Sequence, residues 1–306
     1  MDLAKSAMLV SVTIINGGLL GERRDKTATG YVERKFNLHD RRAKASKFLI
    51  DRKKPQVKAV VAASQRVREV LYKYTMPWGD DKSRLLPVGV HEIFQQKIRD
   101  AEHELREAWK NYLHVYPALI ADSERELGDL FDRSEYPSPE RAADLFKFKL
   151  TYWPMPSSGH FVAEIADDAA KQATAVMALE IETRLKEAAE TLVARAKNTV
   201  QIFVDRLSSF KSKADGKLIR DSLVNNCAEI GELIHDMNIT NNPDIRDLGW
   251  DIQRLGRLTA DTLRDDASLR QNAIKMGTAI LQQAIKLQTL DHEVADMVAE
   301  AAEYDL

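Results

Sequence analysis

A single cysteine, Cys227, stands in 306 residues. That excludes a disulfide framework and a cysteine-based zinc site. Glycine (13) and proline (9) are also scarce, each near or below ~4% of the chain where ~7% and ~5% are usual. Sandwiches, propellers and barrels need many turns, so this scarcity argues against them and favours long helices with few breaks. No apolar run is long. Met8-Leu9-Val10-Ser11-Val12-Thr13-Ile14-Ile15 falls well short of the ~20 residues a membrane span needs. It has no basic leader and no small-residue cleavage site. The expectation is a soluble protein of a reducing cytoplasm with no membrane partner. GxxxxGK[ST], GxGxxG and GxSxG are absent too, so no nucleotide, dinucleotide or acyl-transfer motif points to a cofactor, and none is expected.

Hydrophobic residues make up 44% of the chain and charged residues 30%, enough to bury a core. The net charge of −2 conceals a split. Residues 1–75 carry 17 Lys/Arg against 7 Asp/Glu, or +10, which leaves −12 on residues 76–306. Such a division fits a polyanion-binding face, or basic surfaces docking on acidic ones in another copy.

Along the chain, Val10, Val12 and Ile14 alternate with Ser11 and Thr13, the period of a half-buried strand. Asn16-Gly17-Gly18 follows as a turn, and Tyr31–Phe36 reads as a partner strand. A helix opens near Pro55. Residues 75–89, with two prolines and two glycines, read as a loop. Phe94, Ile98, Ala101, Leu105, Ala108, Tyr112, Val115 and Leu119 then step by alternating fours and threes. This is a 3.5-residue seam of coiled-coil type, running to about residue 132 with a kink or break at Pro117. Phe146, Phe148 and Leu150 alternate with polar residues. With Phe161–Ile165 they read as a β-hairpin. Residues 166–212 read as a second long helix, packed antiparallel on the first, with shorter helices at 217–238, 243–263 and 266–300. The expected fold is mainly α, with long antiparallel coiled-coil-like helices, a small β-containing N-terminal portion and a β-hairpin insertion. Its expected segments are 1–75, 76–165 and 166–306.

Catalytic candidates are sparse. Cys227 has His235 eight residues on, ~12 Å along a helix axis and too far for a nucleophile–base pair. His91-Glu92 starts like a metalloprotease motif, but Gln95 stands at the second ligand position. Asp80 and Asp81 suit a hard cation with Arg84 beside them, though a loop-capping role for the aspartates with Arg84 in an ion pair explains them better. No catalytic residue and no metal ligand is therefore assigned, and a non-enzymatic role is expected.

The basic segment carries the remaining signal. Arg23, Arg24 and Lys26 form one cluster, Arg41, Arg42, Lys44 and Lys47 a second, and Arg52, Lys53 and Lys54 a third, with Tyr31, Phe36 and Phe48 between them. Such cations contact phosphates, and aromatics stack on bases. Arg23, Arg24, Lys26, Arg41, Arg42 and Lys44 are the expected phosphate contacts, and Tyr31 and Phe36 the expected stacking residues. DNA or RNA is the expected partner of a homo-oligomer. The alternative is a structural protein whose basic segment docks on the acidic body of the next copy to give rings or filaments. A solvated surface explains the same residues.

The strings Thr75–Pro87, Tyr116–Ile120, Leu127–Phe131 with Tyr136-Pro137, and Phe146–Phe148 before Pro154–Pro156 resemble, in order and spacing, a family of tailed-phage and prophage proteins with no assigned catalytic role. The resemblance covers roughly residues 8–165. It implies a phage origin and expression in a bacterial host cell, and it implies no activity.

Overall fold

The computed structural model describes residues 3–38, 42–79, 82–156, 167–211 and 218–303, with side chains described for residues 5–38, 42–79, 82–156, 172–211 and 218–288. In chain order the elements are α1 (Leu3–Ser6), β1 (Ala7–Asn16), β2 (Glu22–Arg24), α2 (Lys26–Lys35), β3 (Ser46–Phe48), α3 (Pro55–Tyr74), β4 (Met76–Pro77), β5 (Arg84–Pro87) and α4 (His91–Leu127). Then come α5 (Pro139–Asp144), β6 (Phe146–Pro154), α6 (Asp167–Ser208), α7 (Asp221–Met237), α8 (Pro243–Gly256), α9 (Ala260–Asp265) and α10 (Ala267–Glu303). The protein is mostly helical, with long helices and a small antiparallel sheet near its N-terminus.

The four-stranded sheet has the order β4-β5-β1-β6, and β2 and β3 form a separate ribbon. β1 pairs antiparallel with β5, Ala7 facing Pro87 and Val10 facing Arg84. Residues 75–89 are thus not a bare loop. Leu85 and Leu86 are fully buried, and that burial holds a short strand between two prolines. β6 confirms the alternation read at 146–150. The expected returning strand, 161–165, lies outside the described residues. Residues 31–36 are not a strand. Asp25 accepts a hydrogen bond from the Ala28 amide (2.7 Å) and caps a helix there. After β1 the chain turns at Asn16-Gly17-Gly18, and Asn16 Oδ1 accepts from the Gly18 amide. Gly17 has φ +61°, and a Cβ there would strike Leu145, so only glycine fits.

Two compact units form, each from segments distant in sequence: residues 1–10, 74–92 and 152–306, and residues 11–73 and 93–151. In the first unit α6 and α10 run antiparallel. Arg270 lies over the Phe210 ring, Gly277 meets Val204, and Lys197 bonds Gln288. The partner of α6 is therefore α10, and α4 belongs almost wholly to the other unit. Ala188, Leu192, Ala196, Val200, Phe203 and Leu207 form the buried stripe of α6. The helix expected over 243–263 breaks after Gly256, where Thr259 accepts from the Thr262 amide and starts α9.

In the second unit α4 buries Phe94, Ile98, Ala101, Leu105, Trp109, Tyr112, Tyr116, Leu119 and Ser123. Trp109 and Tyr116 take the places expected for Ala108 and Val115. The average step is then about 3.6 residues, the period of a straight amphipathic helix rather than a supercoil. α4 also runs unbroken past Pro117. Tyr112 and Tyr116 before the proline and Leu119 and Ile120 after it are all buried, and that packing carries the helix through the lost hydrogen bond.

Candidate nucleic-acid interface

The ribbon sets the geometry of the basic segment. Glu22 faces Phe48, Arg23 faces Lys47 and Arg24 faces Ser46. Asp25, just past β2, caps α2 and donates its own amide to Ala45 O at 3.0 Å. Thr29, the one buried residue of α2, accepts from the Ala45 amide at 3.1 Å. Polar bonds thus tie α2 to the irregular stretch before β3, and half of the helix's residues stay exposed.

The structure sorts the cations into two sets. Lys47 belongs to the interior. Its side chain is 8% exposed, with Asp25 at 2.9 Å and Glu135 at 2.7 Å, and it also donates to Leu130 O. Burial works against its charge, but hydrogen bonds to Glu135 and Asp25 outweigh that and raise its pKa. Asp25 is held below the usual carboxylate range, first by the Ala28 amide and then by Lys47. Lys54 is likewise occupied, by Asp122 (2.8 Å) and Glu126 (3.0 Å). Arg23 is half-buried, and its charge acts on the buried tyrosines Tyr116 and Tyr136.

Arg24, Lys26, Arg42 and Lys44 are exposed and make no ion pair among the described residues. They flank the ribbon and the start of α2. Arg41 lies outside the described residues. Tyr31 and Phe36 stand in solvent, 58% and 65% exposed, with Tyr31 on α2 and Phe36 at its C-cap. Arg34, Lys35 and Leu38 join them. Positions 31, 34 and 35 share one side of α2, Leu38 follows past its end, and all four residues are exposed. Lys35 Nζ stands 5.7 Å from the Tyr31 ring centre and 5.9 Å from that of Phe36. These three additional residues escaped the sequence reading because a strand would send alternate side chains to opposite faces. The signal was Asp25, an N-cap residue type placed just before the segment.

The other candidates resolve into structure. Arg84 bonds Thr75 through the hydroxyl (2.6 Å) and the carbonyl, and Arg195 donates to the same carbonyl (2.7 Å). Burial lowers the Arg195 pKa to about 10. Asp80 and Asp81 lie outside the described residues. Cys227 is fully buried, and burial pushes its thiol up to about 12, which suits a core side chain rather than a nucleophile. Among the described residues no three His, Cys, Asp or Glu side chains gather as a metal site. No helix among the described residues is long and apolar enough to cross a membrane.

What fold and surface define is a mostly helical protein that carries a basic strand ribbon with an aromatic-bearing helix. Comparison with protein-family models, with curated proteins and with solved structures finds no match.

Proposed function

We propose that this protein binds nucleic acid, without catalysis, through the β2–β3 ribbon and α2. The supporting observation is the set of six exposed cations, Arg24, Lys26, Arg34, Lys35, Arg42 and Lys44, that no carboxylate among the described residues neutralises. Elsewhere in the same segment the chain does pair its lysines, at Lys47 and Lys54. Free cations on one module attract phosphate oxygens and release the counterions around them. The resemblance to tailed-phage proteins sets the proposed role in a bacterial host cell, acting on phage or host DNA or RNA as an oligomer.

Charge reversal tests this reading. Arg24→Glu/Arg42→Glu alters two exposed side chains that support no packing, so the melting temperature should stay within a degree or two. Binding of a labelled oligonucleotide at ~100 mM salt should weaken at least tenfold. Undiminished binding by a folded double variant would remove these residues from the interface. A particle whose size falls with salt in the absence of any oligonucleotide would assign the same cations to contacts between copies.

A further inference from the structure

Scattered exposed apolar side chains need no explanation, but a cluster does. Three stand close in sequence at the C-terminal end of α2: Tyr31 (58% exposed), Phe36 (65%) and Leu38 (39%). Arg34 and Lys35 share a helix face with Tyr31, and Lys26 stands at the helix start. The nearest acid on α2, Glu33, is half-buried. Lys35 Nζ stands within 6 Å of both ring centres, so a single ammonium serves two aromatic platforms.

Resting on the nucleic-acid reading above, we infer that the α2 surface takes single-stranded nucleic acid in preference to duplex. The bases stack on Tyr31 and Phe36, and Arg34 and Lys35 hold the phosphates between them. In a duplex each base already has neighbours on both faces, so an exposed ring finds no face to stack on and only the cations contribute. In a single strand the bases splay, and each offers a π-face. Lys35 is exposed and flexible. An incoming base takes its place over the ring, and its ammonium turns to the phosphate. The rings make the site tolerant of sequence, because every base has such a face.

The test compares a ~20-nucleotide single strand with a blunt duplex of the same sequence, by anisotropy at one salt concentration. Four full-length proteins are used: wild type, Tyr31→Ala/Phe36→Ala, Phe36→Trp and Arg24→Glu/Arg42→Glu. Wild type should favour the single strand. Loss of both rings should cost that preference by about 5- to 150-fold per ring and leave duplex binding unchanged, and Phe36→Trp should keep the preference. Equal wild-type affinity for both forms, or a preference that survives loss of both rings, would overturn the inference. If the charge variant then still weakened both ligands, the nucleic-acid reading would stand without it. Absence of wild-type binding to either form would overturn both.

Discussion

Lys47 shows how one side chain can leave a charge cluster and become part of a scaffold. In the sequence it is one of four basic residues in seven positions. In the structure it ties the ribbon to the 3-10 turn Arg133–Glu135 and to the cap of α2. Removing it leaves Asp25, 6% exposed, and Glu135, 22% exposed, facing each other without a cation. Lys47→Ala should therefore lower unfolding stability by about 3 kcal/mol in urea titration, whereas Lys44→Ala should change it by less than about 0.5 kcal/mol. The acid response follows from Asp25. Its folded pKa lies below the unfolded value of 3.8, so its contribution is present above that value and fades as pH falls through the folded pKa. Asp25→Asn should be less stable than wild type at neutral pH, and the gap should narrow as pH falls below 3.8 and through the lowered folded pKa. A gap of the same size at pH 7 and pH 2.5 would show that the carboxylate's charge is not what matters.

Helices carry the next scale of the account, and here the sequence was partly legible. The length and limits of α4, α6, α7 and α10 followed from apolar spacing and from the rarity of glycine and proline. The partner of α6 did not, because a stripe says which face is buried and not against what. The α4 seam was misread at two steps, since Ala108 and Val115 continue a heptad on paper. In the structure the larger Trp109 and Tyr116 fill the interior, Trp109 stacking between Tyr112 and Phe146 at 5.0 and 5.2 Å. Trp109→Ala should cost about 3–5 kcal/mol of stability and Val115→Ala no more than about 1 kcal/mol, read from denaturant midpoints. Equal costs would restore the heptad. Close approach of α7 and α8 was invisible beforehand. A Cβ at Gly256 would lie 2.5 Å from Ala228 backbone atoms, and backbone cannot give way as a side-chain tip can. Gly256→Ala, helpful on an exposed helix, should here destabilise by about 1–3 kcal/mol. An unchanged melting temperature would mean that the two helices separate freely.

On the scale of the whole molecule, the sequence reading found the uneven charge but could not assign it. Of the eight residues singled out, Arg24, Lys26, Arg42 and Lys44 are exposed cations and Tyr31 and Phe36 exposed rings. Arg23 is half-buried, and Arg41 lies outside the described residues. Which cations stay free depends on carboxylates far along the chain. Glu135 and Asp122 lie 88 and 68 residues from the lysines they bind, and no local pattern announces such pairs. Salt dependence of binding tests the central claim most directly. Anisotropy of a labelled single strand is measured from ~50 to ~500 mM salt, for wild type and for Arg24→Glu/Arg42→Glu. Six phosphate contacts give a slope of log K against log salt of about −4, and the double variant should flatten it by more than about 1. A wild-type slope near zero, or one the variant leaves unchanged, would contradict the account.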